Sequence, residues 1–94
     1  MRKFKHAADF GVAGDCNPMN VLKFRRAISE HRKAANTVRI SGKYRGDGGL
    51  RDVDYFLDPK SGLVAIYDKK GNFVSAWKAS ADQVQQITKE NYLW

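Results

Sequence analysis

The spacing of apolar residues changes character at residue 37, and no other feature limits the fold so tightly. Before it, Val21, Phe24 and Ile28 recur at helical intervals, with Lys23, Arg26, Glu30 and Lys33 on other faces. After it the period is two. Over 37–44, Val38, Ile40 and Tyr44 alternate with Arg39, Ser41 and Lys43, as a strand with one buried face requires. Over 51–57, Val53, Tyr55 and Leu57 alternate with Asp52, Asp54 and Phe56, and shorter strands follow over 63–67 and 73–78. The links are turn-formers: Gly46-Asp47-Gly48-Gly49, Asp58-Pro59-Lys60-Ser61-Gly62 and Asp68-Lys69-Lys70-Gly71-Asn72. Links this short join antiparallel neighbours.

The helices carry their own punctuation. Asn17 is a natural N-cap with Pro18 at the first helical position, where its missing N–H costs nothing, and the helix should end near 34–36. Ser80 with Gln83 reads as a capping box opening a last helix that turns Val84 and Ile87 inward and frays near Asn91. Residues 3–16 read as an irregular or partly helical lead-in broken by Gly11 and Gly14. The class is α+β: a twisted four-stranded antiparallel sheet, an N-terminal helix packed on one face and a short C-terminal helix. With 94 residues and no repeat or linker, residues 1–94 are expected to form one domain.

Charge narrows the partners. Seventeen Lys and Arg against ten Asp and Glu leave +7, and the excess lies in the first half. Residues 1–47 hold eleven basic and four acidic side chains, whereas 48–94 hold six of each. Such a domain attracts polyanions, of which nucleic acid is the commonest, although solubility alone is another use of charge. The basic residues are not gathered on one amphipathic helix, which argues against a membrane-surface role. No apolar run approaches the ~20 residues of a membrane span, and Met1-Arg2-Lys3-Phe4-Lys5-His6 lacks the apolar region of a signal peptide. Cys16 is the sole cysteine, so there is no internal disulfide framework. There is no Gly-rich phosphate loop, no His pair with metal spacing and no Ser/His/Asp set, and no cofactor or metal is expected.

Few residues remain for chemistry. His31, in the last turn of the first helix, reads as a surface or capping residue favoured by the helix dipole. His6 follows Lys3 and Lys5, two ammonium groups able to hold a phosphate beside a group that moves protons near neutral pH. Their like charge would favour the neutral imidazole while the site is empty. Asp9 can orient His6 or a lysine, or cap a turn. Ser75 and Trp77, two apart, should leave one strand face together with Phe73, while Val74 and Ala76 point to the helix-covered side. On an open face the indole could stack on a base and the hydroxyl could bond a phosphate oxygen; ordinary core is the alternative. Asp52, Asp54 and Asp58 could form an acidic cluster, but cross-strand pairing with Arg39 and Lys43 is the expectation.

Three stretches occur together in a familiar order: Lys3-Phe4-Lys5-His6-Ala7-Ala8-Asp9-Phe10-Gly11-Val12, Asn17-Pro18, and Gly71-Asn72-Phe73-Val74-Ser75-Ala76-Trp77-Lys78. Together they resemble the colicin D-like tRNase toxin domains, including the C-terminal toxin domains of contact-dependent growth inhibition proteins. The likeness spans nearly the whole chain, the middle matching mainly in its strands and turns. It implies a barnase-like fold and a ribonuclease toxin that cuts tRNA in the anticodon loop. It also implies His6 as the catalytic histidine, Lys3 and Lys5 as phosphate-binding lysines, and Ser75 and Trp77 as the remaining site residues. Lys78, next to Trp77, is a further expected substrate contact. An acidic immunity protein and a longer secreted or cell-surface delivery protein are implied partners, with action in the target cell's cytoplasm.

The expected mechanism uses no metal. His6 takes the proton from a ribose 2′-OH, which attacks the adjacent phosphate to leave a 2′,3′-cyclic phosphate and a 5′-OH; His6 could instead be the acid. Lys3 and Lys5 would stabilise the added negative charge. Two rival classes stay open at this point, a non-catalytic basic RNA-binding module and a domain that only meets an acidic protein.

Overall fold

A computed structural model describes residues 2–46 and 49–93, with the side chains of Arg2, Lys3 and Leu93 outside the described set. The middle of the first expected turn, Asp47 and Gly48, therefore lies outside it too. The chain opens with a 3₁₀ helix, Arg2–Phe10, and continues through α1 (Pro18–Lys33), β1 (Val38–Gly46), β2 (Gly49–Leu57), β3 (Leu63–Asp68), β4 (Phe73–Lys78), α2 (Ala81–Glu90) and β5 (Tyr92–Leu93). Strands β1 to β4 form the expected antiparallel meander, and the sheet order is β4-β3-β2-β1-β5.

Both helix starts form as their sequences dictate. Asn17 Oδ1 accepts the Asn20 N–H at 2.9 Å, and Pro18 is the first helical residue. At α2 the Gln83 N–H donates to Ser80 Oγ at 3.2 Å while the Ser80 N–H donates to Gln83 Oε1 at 3.0 Å. Each arrangement satisfies N–H groups that the helix itself leaves without partners.

Four expectations need correction. The fifth strand, two residues long, was not foreseen. Asn91 adopts a left-handed conformation, φ 55°, turning the chain so that Tyr92 and Leu93 run parallel to β1. The Lys43 N–H donates to Asn91 O at 2.8 Å, and only Gly42 allows this approach, since a Cβ there would lie 2.1 Å from that oxygen.

The second concerns burial, because the sheet is covered on both sides rather than one. Alternation in β2 is overridden, and Val53 to Leu57 are all buried. Val53, Tyr55, Leu57, Val64 and Ile66 pack with Ile87 and Val84 of α2. Phe56, Ala65 and Ala76 pack on the other face with Phe24 and Ile28 of α1 and Ala7 of the 3₁₀ helix.

Third, a bulge breaks the β4 alternation. Ile66 faces Ser75 but Tyr67 faces Phe73, so Val74 is the extra residue. Phe73 therefore joins the α1 face, and Val74 packs on the α2 face with Trp77, the reverse of their expected sides.

Fourth, His31 is no surface residue. It is buried, its Nε2 lies 2.8 Å from Phe56 O, and its ring meets Phe10 edge-on at 5.5 Å.

Candidate active site

The 3₁₀ helix positions the first half of the site. With three residues per turn, positions three apart eclipse one another, so Phe4, Ala7 and Phe10 form one ridge. Phe4 and Phe10 pack on the Phe24 ring with centroids at 5.9 and 5.7 Å, and Ala7 is buried against the sheet. His6 and Asp9 share a second ridge, which brings His6 Nδ1 to 3.9 Å from Asp9 Oδ2. Both side chains are about a third exposed, at 31% and 37%. Lys5 is exposed; the side chain of Lys3 lies outside the described residues, so its expected role gains no geometry here.

β4, at the sheet edge, supplies the second half. The same oxygen, Asp9 Oδ2, accepts the backbone N–H of Lys78 at 3.0 Å. One carboxylate thus docks the helix bearing Lys5 and His6 onto the end of β4, immediately after Trp77. Beside the contact with His6, which matches one of the expected roles of Asp9, this joint to β4 is an additional one. Its partner lies 69 residues along the chain, so no local pattern could have revealed it.

Ser75 and Trp77 share a face as their spacing requires, but that face is not an open one. Both lie on the side covered by α2. Ser75 is buried, at 2% exposure, so its hydroxyl is not a surface group ready to meet a phosphate. Trp77 is half-buried: its Nε1–H donates to Gln83 Oε1 at 3.1 Å and its ring lies 6.2 Å from that of Tyr44. Gln83 therefore holds the indole and caps α2 with one oxygen, a link the sequence signalled only as a capping box. Lys78 is exposed beside it.

The acidic residues of β2 are structural. Lys43 Nζ bonds Asp52 Oδ1 at 2.8 Å, directly across the ladder. Asp54 is buried, which by itself would raise its pKa, but hydrogen bonds from Lys69, Ser41 and Arg39 lower it to about 2. Asp58 accepts the N–H groups of Lys60 and Ser61 in the following turn. Among the described residues, no three His, Cys, Asp or Glu side chains converge as metal ligands. At the end of β4 lie the His6 imidazole beside the Asp9 carboxylate and the exposed Lys78, with Lys5 exposed on the same 3₁₀ helix, while the half-buried Trp77 indole leaves the strand on the α2 side. That set can move a proton, hold an anion and stack on a planar ring.

Comparison with known proteins bears on the same two halves. The Colicin D family model matches residues 1–87. Colicin-D of Escherichia coli is 37% identical over 82 residues, which is 86% of this chain but only 11% of that much longer protein. Among solved structures, a ribonuclease from Escherichia coli complexed with its inhibitor protein superposes with a TM-score of 0.80 at 34% identity. That superposition covers 98% of this chain and 97% of the other. Both the helix bearing His6 and the strand bearing Trp77 fall inside the matched region, and on that shared sequence and fold the chain belongs to the Colicin D family.

Proposed function

We propose that the domain is a metal-independent endoribonuclease toxin that cuts tRNA in the anticodon loop and thereby stops translation in target bacteria. The observation that carries the reading is the Asp9 joint, which sets His6 beside the Lys78 end of β4. Family membership, a ribonuclease as structural relative and the basic first half support it.

In this reading His6 removes the proton from a ribose 2′-OH. The oxygen attacks the neighbouring phosphorus, the 5′-oxygen leaves with a proton from water or a lysine, and a 2′,3′-cyclic phosphate remains. Lys5, with Lys3 one helical turn before His6, stabilises the charge that builds on the phosphorane-like transition state. Trp77 offers its open edge to a splayed loop base, and exposed Lys78 holds a flanking phosphate. Ser75, being buried, acts as a positioning residue beneath that surface. Asp9 is a second positioning residue, fixing where the imidazole points. Unpaired loops suit this chemistry because their sugars can reach the in-line geometry. The domain works at the end of a longer delivery protein, and an acidic immunity protein covers the His6 surface in the producing cell.

Purified protein incubated with total tRNA in EDTA tests the reading. Cleavage should persist in chelator and end in cyclic phosphates at anticodon loops. His6→Ala should lower the rate by about 10²–10⁴-fold while keeping salt-sensitive tRNA binding. A His6→Ala protein that retains full toxicity would identify a binding module, and intact tRNA throughout would identify a protein-interaction domain. Asp9→Asn should lower kcat up to about a hundredfold with KM little changed, as expected for a misaimed group.

A further inference from the structure

We infer that the α1 face of the sheet, the side that also carries the His6 helix, holds a subsite for one unpaired nucleotide of the same RNA, built by Arg25, Tyr67 and Phe73. This rests on the ribonuclease reading but concerns residues outside the catalytic set. A cleft of about 240 Å³ opens between α1 and the start of β4, lined by Arg25, Ile28, Tyr67 and Phe73. Its floor is aromatic. Tyr67 and Phe73 meet at 72° with centroids 5.9 Å apart, and both rings line the cleft.

Two features single it out from ordinary core. The first is the bulge at Val74, which gives up regular pairing and turns Phe73 onto this side. Bulges of this kind re-aim side chains next to functional sites. The second is the pattern of arginines. Arg32 already lies over this aromatic strip, 4.3 Å from the Tyr67 centroid and 4.7 Å from that of Phe56. Arg25, two turns earlier on the same helix, is exposed at the cleft and enters none of the ion pairs found among the described residues. A guanidinium beside open aromatic surface fits a phosphate together with its base, the combination that single-stranded RNA presents. Phe73 precedes Lys78 by five positions on one strand, roughly 16 Å at the usual rise per residue. A few nucleotides of extended RNA bridge that span from the scissile bond.

The test uses His6→Ala protein, which leaves RNA uncut, and measures tRNA affinity over a range of salt. Added Arg25→Gln should weaken binding severalfold and reduce the salt slope by about one phosphate's worth, ~0.7 for a single strand. Added Phe73→Leu should weaken it about tenfold without altering the slope, because stacking carries no counterion. Thermal unfolding checks that each protein is folded, and Arg25→Gln, at an exposed position, decides the matter if Phe73→Leu is not. Unchanged affinity and slope in Arg25→Gln overturn the subsite while leaving the catalytic reading intact. Weaker binding of the cognate inhibitor with RNA affinity unchanged assigns the cleft to a protein and also overturns it. If His6→Ala protein does not bind tRNA, the parent reading fails and the subsite with it.

Discussion

Against α2 the sheet presents Val53, Leu57, Val64 and Ile66, aliphatic side chains with no exposed surface. Against α1 and the 3₁₀ helix it presents alanines and rings: Ala65, Ala76, Phe56, Tyr67 and Phe73. The alanines leave room for two helices to approach closely, while Phe56 and Tyr67 are covered by the Arg32 guanidinium of α1 rather than by more hydrocarbon. The α2 face is deeply buried at its aliphatic centre, with Trp77 half-buried at its edge. The other face is partly open and cationic, and it carries the helix that delivers His6. One thin sheet thus has an aliphatic face and an aromatic, arginine-bearing one, with the edge strand β4 contributing Trp77 to the first and Phe73 to the second.

Substitutions that separate stability from activity test this division. Phe24→Ala should have the largest effect, costing about 3–5 kcal/mol by denaturant unfolding. It should also lower the activity of the molecules that remain folded, because Phe4 and Phe10 lose the ring they rest on. Val53→Ala, on the aliphatic face, should cost about 2 kcal/mol with kcat unchanged; a matching loss of kcat would erase the distinction.

Next comes Asp54→Asn, on the order of 1–2 kcal/mol at neutral pH. The Asp54 carboxyl lies below its ordinary value of 3.8, at about 2, so its contribution is present above pH ~4 and is lost as pH falls towards 2. Thermal midpoints across that range should fall in the parent protein and flatten in Asp54→Asn. The smallest effect is expected from Ser80→Ala, about 1 kcal/mol, confined to α2 and visible as faster amide exchange in its first turn.

Local chemistry made much of this legible. Asn17-Pro18 and the Ser80–Gln83 box mark both α-helix starts, and period-two runs mark four strands, because caps and pleats are decided by neighbouring residues. The same holds for the Lys43–Asp52 pair, which follows from register. What stayed hidden depends on the third dimension. Alternation fails from Val53 to Leu57 because cover arrives on both sides, and the bulge at Val74 depends on pairing with β3. The ridge of Phe4, Ala7 and Phe10 was missed because its period is three, neither 3.6 nor 2. His31 is buried by contacts with Phe10 and Phe56, which no helix-end rule anticipates. For the site, the sequence names candidates at both ends of the chain, but the Asp9 joint and the burial of Ser75 depend on the folded arrangement.

The joint between Asp9 and Lys78 also has a consequence in time. It links the first ten residues to a strand completed 69 positions later, so a ribosome must synthesise nearly the whole domain before the imidazole has a strand to rest against. Chains that stop before β4 lack that joint altogether, and a complete but unfolded chain leaves His6 with no strand to dock against.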